Sequence, residues 1–278
     1  LLSGTYADLT SGVTVTCATD GNHGLAVAWA ASRFGARAVI YLAHIVSAAR
    51  ERAIAGLGAE TVRSTGHHDQ AARECLAAAQ RHGWFVISET EKASEPEIAL
   101  DTLAGYGVLF EEIVAALPPD ETPTHVFVQA GVGGLAAACA AGVARRWPER
   151  RPKLIVVESD AADCIRRSIE REEPVTVEGP LDTAMVGLAA GVMSGYAWRT
   201  LREGADGAIA IPDDSALDTA RALGDGRFGD PPIAAGPSGV AGLAAALVTA
   251  GAPAMRARLG IDAGSKIVTI GTEGATPE

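Results

Sequence analysis

Residues 123–135 read PTHVFVQAGVGGL. Val126-Phe127-Val128 is a short apolar run rich in β-branched and aromatic side chains, and it reads as a strand. The run ends at Gln129-Ala130 and enters the turn Gly131-Val132-Gly133-Gly134, after which Leu135 opens an Ala-rich helix reaching to Trp147. Strand, glycine turn and helix start in that order converge several unpaired amides and the positive end of a helix dipole on one point. A phosphate is the natural guest. Close packing of helix on sheet also selects glycines there, so the motif alone leaves both explanations open. It does not complete a nucleotide-binding Lys-Ser/Thr loop, because neither residue type follows Gly134. A dinucleotide fingerprint would need glycine at Ala136; Glu158 and Asp160 after KLIVV keep a nucleotide site as the open alternative.

The same rhythm runs outward in both directions. VTVTCAT (13–19), ARAVIYLA (36–43), ETVRST (60–65), WFVIS (84–88) and KLIVVES (153–159) read as strands. Ala-rich helical stretches lie between them, as in NHGLAVAWAASRFG (22–35). The strands are continuous apolar runs rather than alternating ones, as expected for a parallel sheet covered on both faces. The fold class is therefore α/β, doubly wound. Gly35, Gly58 and Gly83 stand where left-handed helix ends are wanted. The mixed-charge stretch ETEKASEPEIALD (89–101) is the softest part of the chain and a natural place for a crossover between domains.

Composition narrows the partners. With 34 acidic and 23 basic residues in 278, the chain carries a net charge of −11 and no Lys/Arg cluster, so no nucleic-acid partner is expected. The 4 cysteines form no CxxC pair, which fits a reducing cytoplasm better than a disulfide framework or zinc knuckle. The apolar run Leu135–Val143 stops at Arg145 and Arg146, too short for the roughly 20 residues of a membrane helix. The opening LLSGTYADLTSG lacks the pattern of a signal peptide and begins abruptly, as though something upstream were missing. His67, His68 and Asp69 are adjacent rather than at ligand spacing, so no metal is assigned.

A second glycine turn, Ala18-Thr19-Asp20-Gly21-Asn22-His23-Gly24, also joins a strand to a helix. Its Asp20 reads from local chemistry as a helix cap or as an acid beside a ligand, and His23 as a packing residue or a ligand contact. Taken together, TDGNHG and QAGVGGLA make the chain resemble the pyridoxal-phosphate enzymes of the tryptophan-synthase-β fold (fold type II), and among these the diaminopropionate ammonia-lyases. The likeness extends through GLGAE (56–60), HGWFVI (82–87), VVESDAADCI, TAMVGLAAG, PSGVAGL and the TEG near the end.

The resemblance implies two doubly wound parallel-sheet domains, here a smaller mobile one over 12–105 and a larger cofactor-binding one over 1–11 and 106–278. It implies pyridoxal 5'-phosphate as cofactor, a small amino-acid substrate and a homodimer. By the same likeness Asn22 contacts the cofactor's ring oxygen, Gly131, Val132, Gly133, Gly134 and Leu135 hold its phosphate, and Asp20 is an acid/base next to the substrate. Glu89 stands where the ammonia-lyases carry an aspartate. Gly271 stands where a hydroxyl usually meets the pyridine nitrogen, with Thr272 beside it as the substitute. Pro237 occupies a position where the lyases usually have a glutamate.

This chemistry needs a lysine to hold the cofactor aldehyde and move the Cα proton. Of Lys92, Lys153 and Lys266 none matches; the resemblance places the lysine immediately before Leu1. The expected function is a lyase that eliminates ammonia from 2,3-diaminopropionate or a similar β-substituted amino acid, yielding pyruvate. The alternatives are a serine/threonine dehydratase or hydroxyaspartate lyase of the same fold, or a lysine-free relative that binds the cofactor without turnover.

Overall fold

The computed structural model describes residues 5–19, 21–66, 68–91, 96–118 and 121–275. Its contacts divide the chain into two units, Leu1–Thr102 with Thr276–Glu278, and Leu103–Ala275.

The first unit begins with the short helix α1 (Ala7–Thr10) and alternates β1 (Thr14–Thr19), α2 (Asn22–Phe34), β2 (Arg37–Leu42), α3 (Ala48–Ala55), β3 (Glu60–Arg63), α4 (His68–His82) and β4 (Phe85–Val86). The strands form one sheet in the order β3-β2-β1-β4, and every pairing is parallel. Side chains alternate across a strand, so β2 buries both of its faces. Ala38, Ile40 and Leu42 pack with Val27, Ala28 and Ala31 of α2 and Ile54 of α3. Val39 and Tyr41 pack with Ala71, Cys75 and Ala78 of α4. That two-sided burial is why RAVIYL carries no polar alternation. Gly35 and Gly83, directly after α2 and α4, have φ of +74° and +68°, and Gly58 has +87° in the turn following α3. Glycine adopts this left-handed backbone without a Cβ penalty.

Helix α5 (Pro96–Ala116) leads into the second unit, which continues β5 (His125–Gln129), α6 (Gly134–Arg146), β6 (Lys153–Ser159), α7 (Cys164–Arg171), α8 (Gly195–Gly204), β7 (Gly207–Ile211), α9 (Asp213–Gly224), α10 (Pro237–Gly251), α11 (Pro253–Leu259) and β8 (Ile267–Thr269). This sheet is also wholly parallel, in the order β7-β6-β5-β8. Val126, Val128, Leu154 and Val156 pack on one face with Phe110 of α5, the alanines of α6 and Leu201 of α8. Phe127, Ile155 and Val157 pack on the other with Ala216 of α9 and Ala241, Ala244 and Ala245 of α10. The small residues of α6 admit a bulky neighbour: a Cβ on Gly142 would lie 2.3 Å from the Phe110 ring. Among the described residues no single helix is long and apolar enough to cross a membrane.

Candidate active site

In each sheet the chain steps outward from a central strand and then returns to that strand's other side. In the second unit it runs from β5 to β6 and β7 before β8 pairs with β5. The carboxyl ends of β5 and β8 are therefore neighbours where the strand order reverses, the position where open α/β sheets bind ligands. The glycine turn Gly131–Leu135 follows β5, and Thr272 follows β8. The topology thus brings these expected site residues to one switch point.

The turn has the donor set an anion needs. Among the described residues, the amides of Gly131 through Ala136 have no protein acceptor, and the first regular bond of α6 runs from the Ala137 amide to Gly133 O at 2.9 Å. Six successive amides at a helix start, three of them on the buried Gly133, Gly134 and Ala136, fit a phosphate. Two glycines are dictated by geometry. Gly133 has φ +94°, and its Cβ would meet Ala197 Cβ at 2.8 Å. A Cβ on Gly131 would stand 2.9 Å from Gly187 O. The Gly187 amide in turn donates to the buried Ser238 Oγ at 3.1 Å, which ties the first turn of α10 to the backbone against which Gly131 rests.

Thr272 is exposed, whereas its neighbour Glu273 is buried, with its carboxylate turned towards Gly236 just before α10. Thr272 Oγ1 lies 2.7 Å from Nε2 of the buried Gln129, the last residue of β5. Gln129 Nε2 also donates to Ile270 O at 2.7 Å and Gly239 O at 3.2 Å. Sequence reasoning missed Gln129; its signal was a polar side chain directly after the apolar, doubly buried run Val126-Phe127-Val128. Pro237 is the first residue of α10, where its missing N–H costs nothing.

The first unit repeats the arrangement. The chain runs from β1 to β2 and β3, then places β4 on the other side of β1. The turn bearing Asn22 follows β1, and the segment bearing Glu89 follows β4, so both belong to this unit's own switch point. His23 Nε2 donates to Ile87 O at 2.9 Å and ties the two segments together; this is its structural role. Asn22 is exposed at the first position of α2, and Glu89 is partly buried. The charge of Glu89 adds to burial and Cys75 in raising the Cys17 thiol. Asp20 lies outside the described residues. At the start of α2, Thr19 Oγ1 accepts from the Gly21 amide at 3.0 Å and the Gly24 amide at 3.1 Å. Arg50, also unforeseen, lies against Gly21: a Cβ there would be 2.7 Å from its Nη1.

Of the two carboxylates that kept a nucleotide alternative open, Glu158 is taken up inside the fold, while Asp160 is exposed. Glu158 is fully buried and accepts from the amides of Ile165 at 2.8 Å and Arg166 at 2.7 Å, capping α7 instead of facing a ribose. Lys153 begins β6 and donates to Leu259 O at 2.6 Å, and Lys266 precedes β8 and pairs with Glu121 at 3.2 Å. Both stand at the amino edge of the sheet, opposite the glycine turn. Lys92 lies outside the described residues.

Comparison with known proteins agrees with this geometry. The family profile described as pyridoxal-phosphate dependent enzyme matches residues 2–273. A diaminopropionate ammonia-lyase of Escherichia coli is 35% identical over 268 residues, covering 95% of this chain and 67% of that protein. The crystal structure of the Escherichia coli diaminopropionate ammonia-lyase in complex with an aminoacrylate-PLP azomethine reaction intermediate superposes with a TM-score of 0.88 at 34% identity, over 95% of this chain and 68% of that one. A biosynthetic L-threonine dehydratase of Escherichia coli is 28% identical over 235 residues, covering 83% of this chain and 41% of that protein.

Proposed function

Because this chain belongs to the pyridoxal-phosphate dependent enzymes, we propose that it is a carbon–nitrogen lyase that removes ammonia from 2,3-diaminopropionate by α,β-elimination, after which water hydrolyses the released product to pyruvate and a second ammonia. The observation that carries the reading is the run of six acceptor-free amides from Gly131 to Ala136 at a sheet switch point, together with 35% identity to a diaminopropionate ammonia-lyase over 95% of the chain.

Pyridoxal phosphate, when bound, supplies an electron sink that acidifies the Cα–H of an amino acid. The chain's own residues do the rest. The backbone amides of Gly131, Val132, Gly133, Gly134 and Leu135 hold the phosphate without side-chain charge, and Asn22 orients the ring through its oxygen. Thr272 meets the ring nitrogen with a hydroxyl. Asp20 protonates the departing amine, which leaves poorly as its conjugate base, and Glu89, on the segment after β4, is a candidate for a second acidic group near the substrate. A lysine moves the Cα proton in this scheme, a task to which Lys153 and Lys266, at the amino edge of the sheet, are not suited.

The test is release of ammonia and pyruvate by the full chain loaded with cofactor. Diaminopropionate is expected to exceed serine, threonine and hydroxyaspartate by about 10-fold or more in kcat/KM. Asp20→Asn is expected to lower that value by about 100-fold. Turnover confined to the hydroxy amino acids favours the dehydratase reading, which the 28% identity to a threonine dehydratase supports. Saturable cofactor binding with no product from any of these substrates sinks the lyase in favour of a non-catalytic relative. We further infer a cytoplasmic homodimer. The free, buried state of all 4 cysteines supports a reducing compartment, and sedimentation of the loaded protein tests the dimer.

A further inference from the structure

We infer that Gln129 is a positioning residue that fixes the direction of the Thr272 hydroxyl, holding it as a hydrogen-bond donor towards the ring nitrogen and so keeping that nitrogen unprotonated. The inference rests on the proposed cofactor site and assigns to Gln129 a part in its electronics.

The amide's orientation follows from its partners. Ile270 O and Gly239 O lie 2.7 and 3.2 Å from Nε2, and carbonyl oxygens only accept, so the nitrogen must face them and donate. The same nitrogen lies 2.7 Å from Thr272 Oγ1, so its two hydrogens serve the two partners at 2.7 Å, and the longer contact to Gly239 O shares one of them. An amide nitrogen has no lone pair to offer, so Thr272 accepts there and its own hydrogen must point elsewhere. Among the described residues no protein acceptor meets that hydrogen, and the residue is exposed at the carboxyl edge of the sheet beside the glycine turn. Accepting from Gln129 takes one of the hydroxyl's two lone pairs and polarises its O–H, so the hydroxyl serves better as a donor to an aromatic nitrogen with a free lone pair than as an acceptor from an N–H. Gln129 is itself held firmly. It is buried, its Oε1 has no hydrogen-bond partner among the described residues, and a Cβ on Gly242 of α10 would lie 3.0 Å from that oxygen. The amide therefore cannot turn over without facing its oxygen to two carbonyls. The neighbouring charged group, Glu273, directs its carboxylate back towards Gly236 and the start of α10.

The experiment titrates the ring nitrogen of bound cofactor labelled with 15N, whose chemical shift separates the protonated from the unprotonated form and needs no turnover. The full chain is compared with Gln129→Met, Gln129→Asn, Thr272→Val, Thr272→Ser and the double variant Gln129→Met/Thr272→Val, with thermal unfolding measured on each. A donor hydroxyl favours the unprotonated nitrogen, so both Gln129 variants and Thr272→Val are expected to move its titration upward in pH by about half a unit or more. Thr272→Ser should titrate like the wild type, and the double variant should match Thr272→Val alone, because Gln129 acts through that hydroxyl. Gln129→Asn keeps the site testable if Gln129→Met fails to fold, since it retains the amide and withdraws it from Thr272. Folded Gln129 variants that bind cofactor yet titrate like the wild type overturn the inference, as does a double variant in which the two shifts add. A wild type without saturable pyridoxal-phosphate binding overturns the proposed function instead.

Discussion

Gly133 combines the two conditions under which no other residue serves: a left-handed backbone at φ +94° and a Cβ position 2.8 Å from Ala197. Substituting alanine must push the turn off α8 and misalign the amides proposed to hold the phosphate. Gly133→Ala is expected to weaken pyridoxal-phosphate binding by at least about 10-fold, and to cost about 1–3 kcal/mol of stability. Gly105→Ala, within α5 and with open space around its Cβ, is the control. It should leave binding unchanged and stabilise the helix by about 0.5–1 kcal/mol. Fluorescence titration with the cofactor and thermal melts read both outcomes, and equal affinities for the two variants would count against the anion site. The glycine turn was legible in the sequence because its punctuation is local, a strand running straight into glycines and a helix. Gln129 was not, because its acceptors at Gly239, Ile270 and Thr272 lie more than a hundred residues further along the chain.

Helix α7 begins without a side-chain cap from its own N-cap residue, Asp163, which instead forms ion pairs with Arg166 and Arg167. The acceptor for its first amides comes from Glu158 inside β6. Burial pushes that carboxyl up to about 7, against the two amide bonds that favour its ionised form. A carboxyl raised in the folded state binds its proton more tightly there than in the unfolded chain. Its contribution to stability is thus present at low pH and lost as pH rises through about 7. The glutamine in Glu158→Gln is never charged and still accepts from one amide. Urea midpoints measured from pH 5 to 8 should therefore show the wild type losing ground to the variant, by on the order of 2–3 kcal/mol across the range. A difference independent of pH would show that the buried carboxyl does not titrate there. Helix α2 teaches a related lesson: Thr19, the last residue of β1, accepts from the amide of Gly21 just before the helix and from that of Gly24 in its first turn. A propensity ranks capping residue types but does not say which side chain the strand's pleat turns towards the helix.

All 4 cysteines are free and buried, in the interiors of both units. Burial raises Cys17 and Cys75, and lifts Cys139 and Cys164 to about 12, so the reactive thiolate is scarce at neutral pH. Native protein is expected to react with a thiol reagent such as DTNB at less than about one site per chain over minutes, and at all 4 after denaturation. Rapid labelling of the native protein would show that one of these interiors opens. The sequence by itself determined the alternation of strand and helix, the parallel sheets implied by apolar runs buried on both sides, and the two glycine turns, because periodicity and backbone permissiveness act over neighbouring residues. Only the tertiary structure decided that β4 and β8 return beside the first strands of their sheets and create the switch points. It alone decided that Glu158 is occupied as a cap, and that Lys153 and Lys266 stand at the far edge of the sheet from the glycine turn. Those outcomes depend on strand order and on hydrogen bonds between distant segments, which the spacing of residues along a chain does not encode.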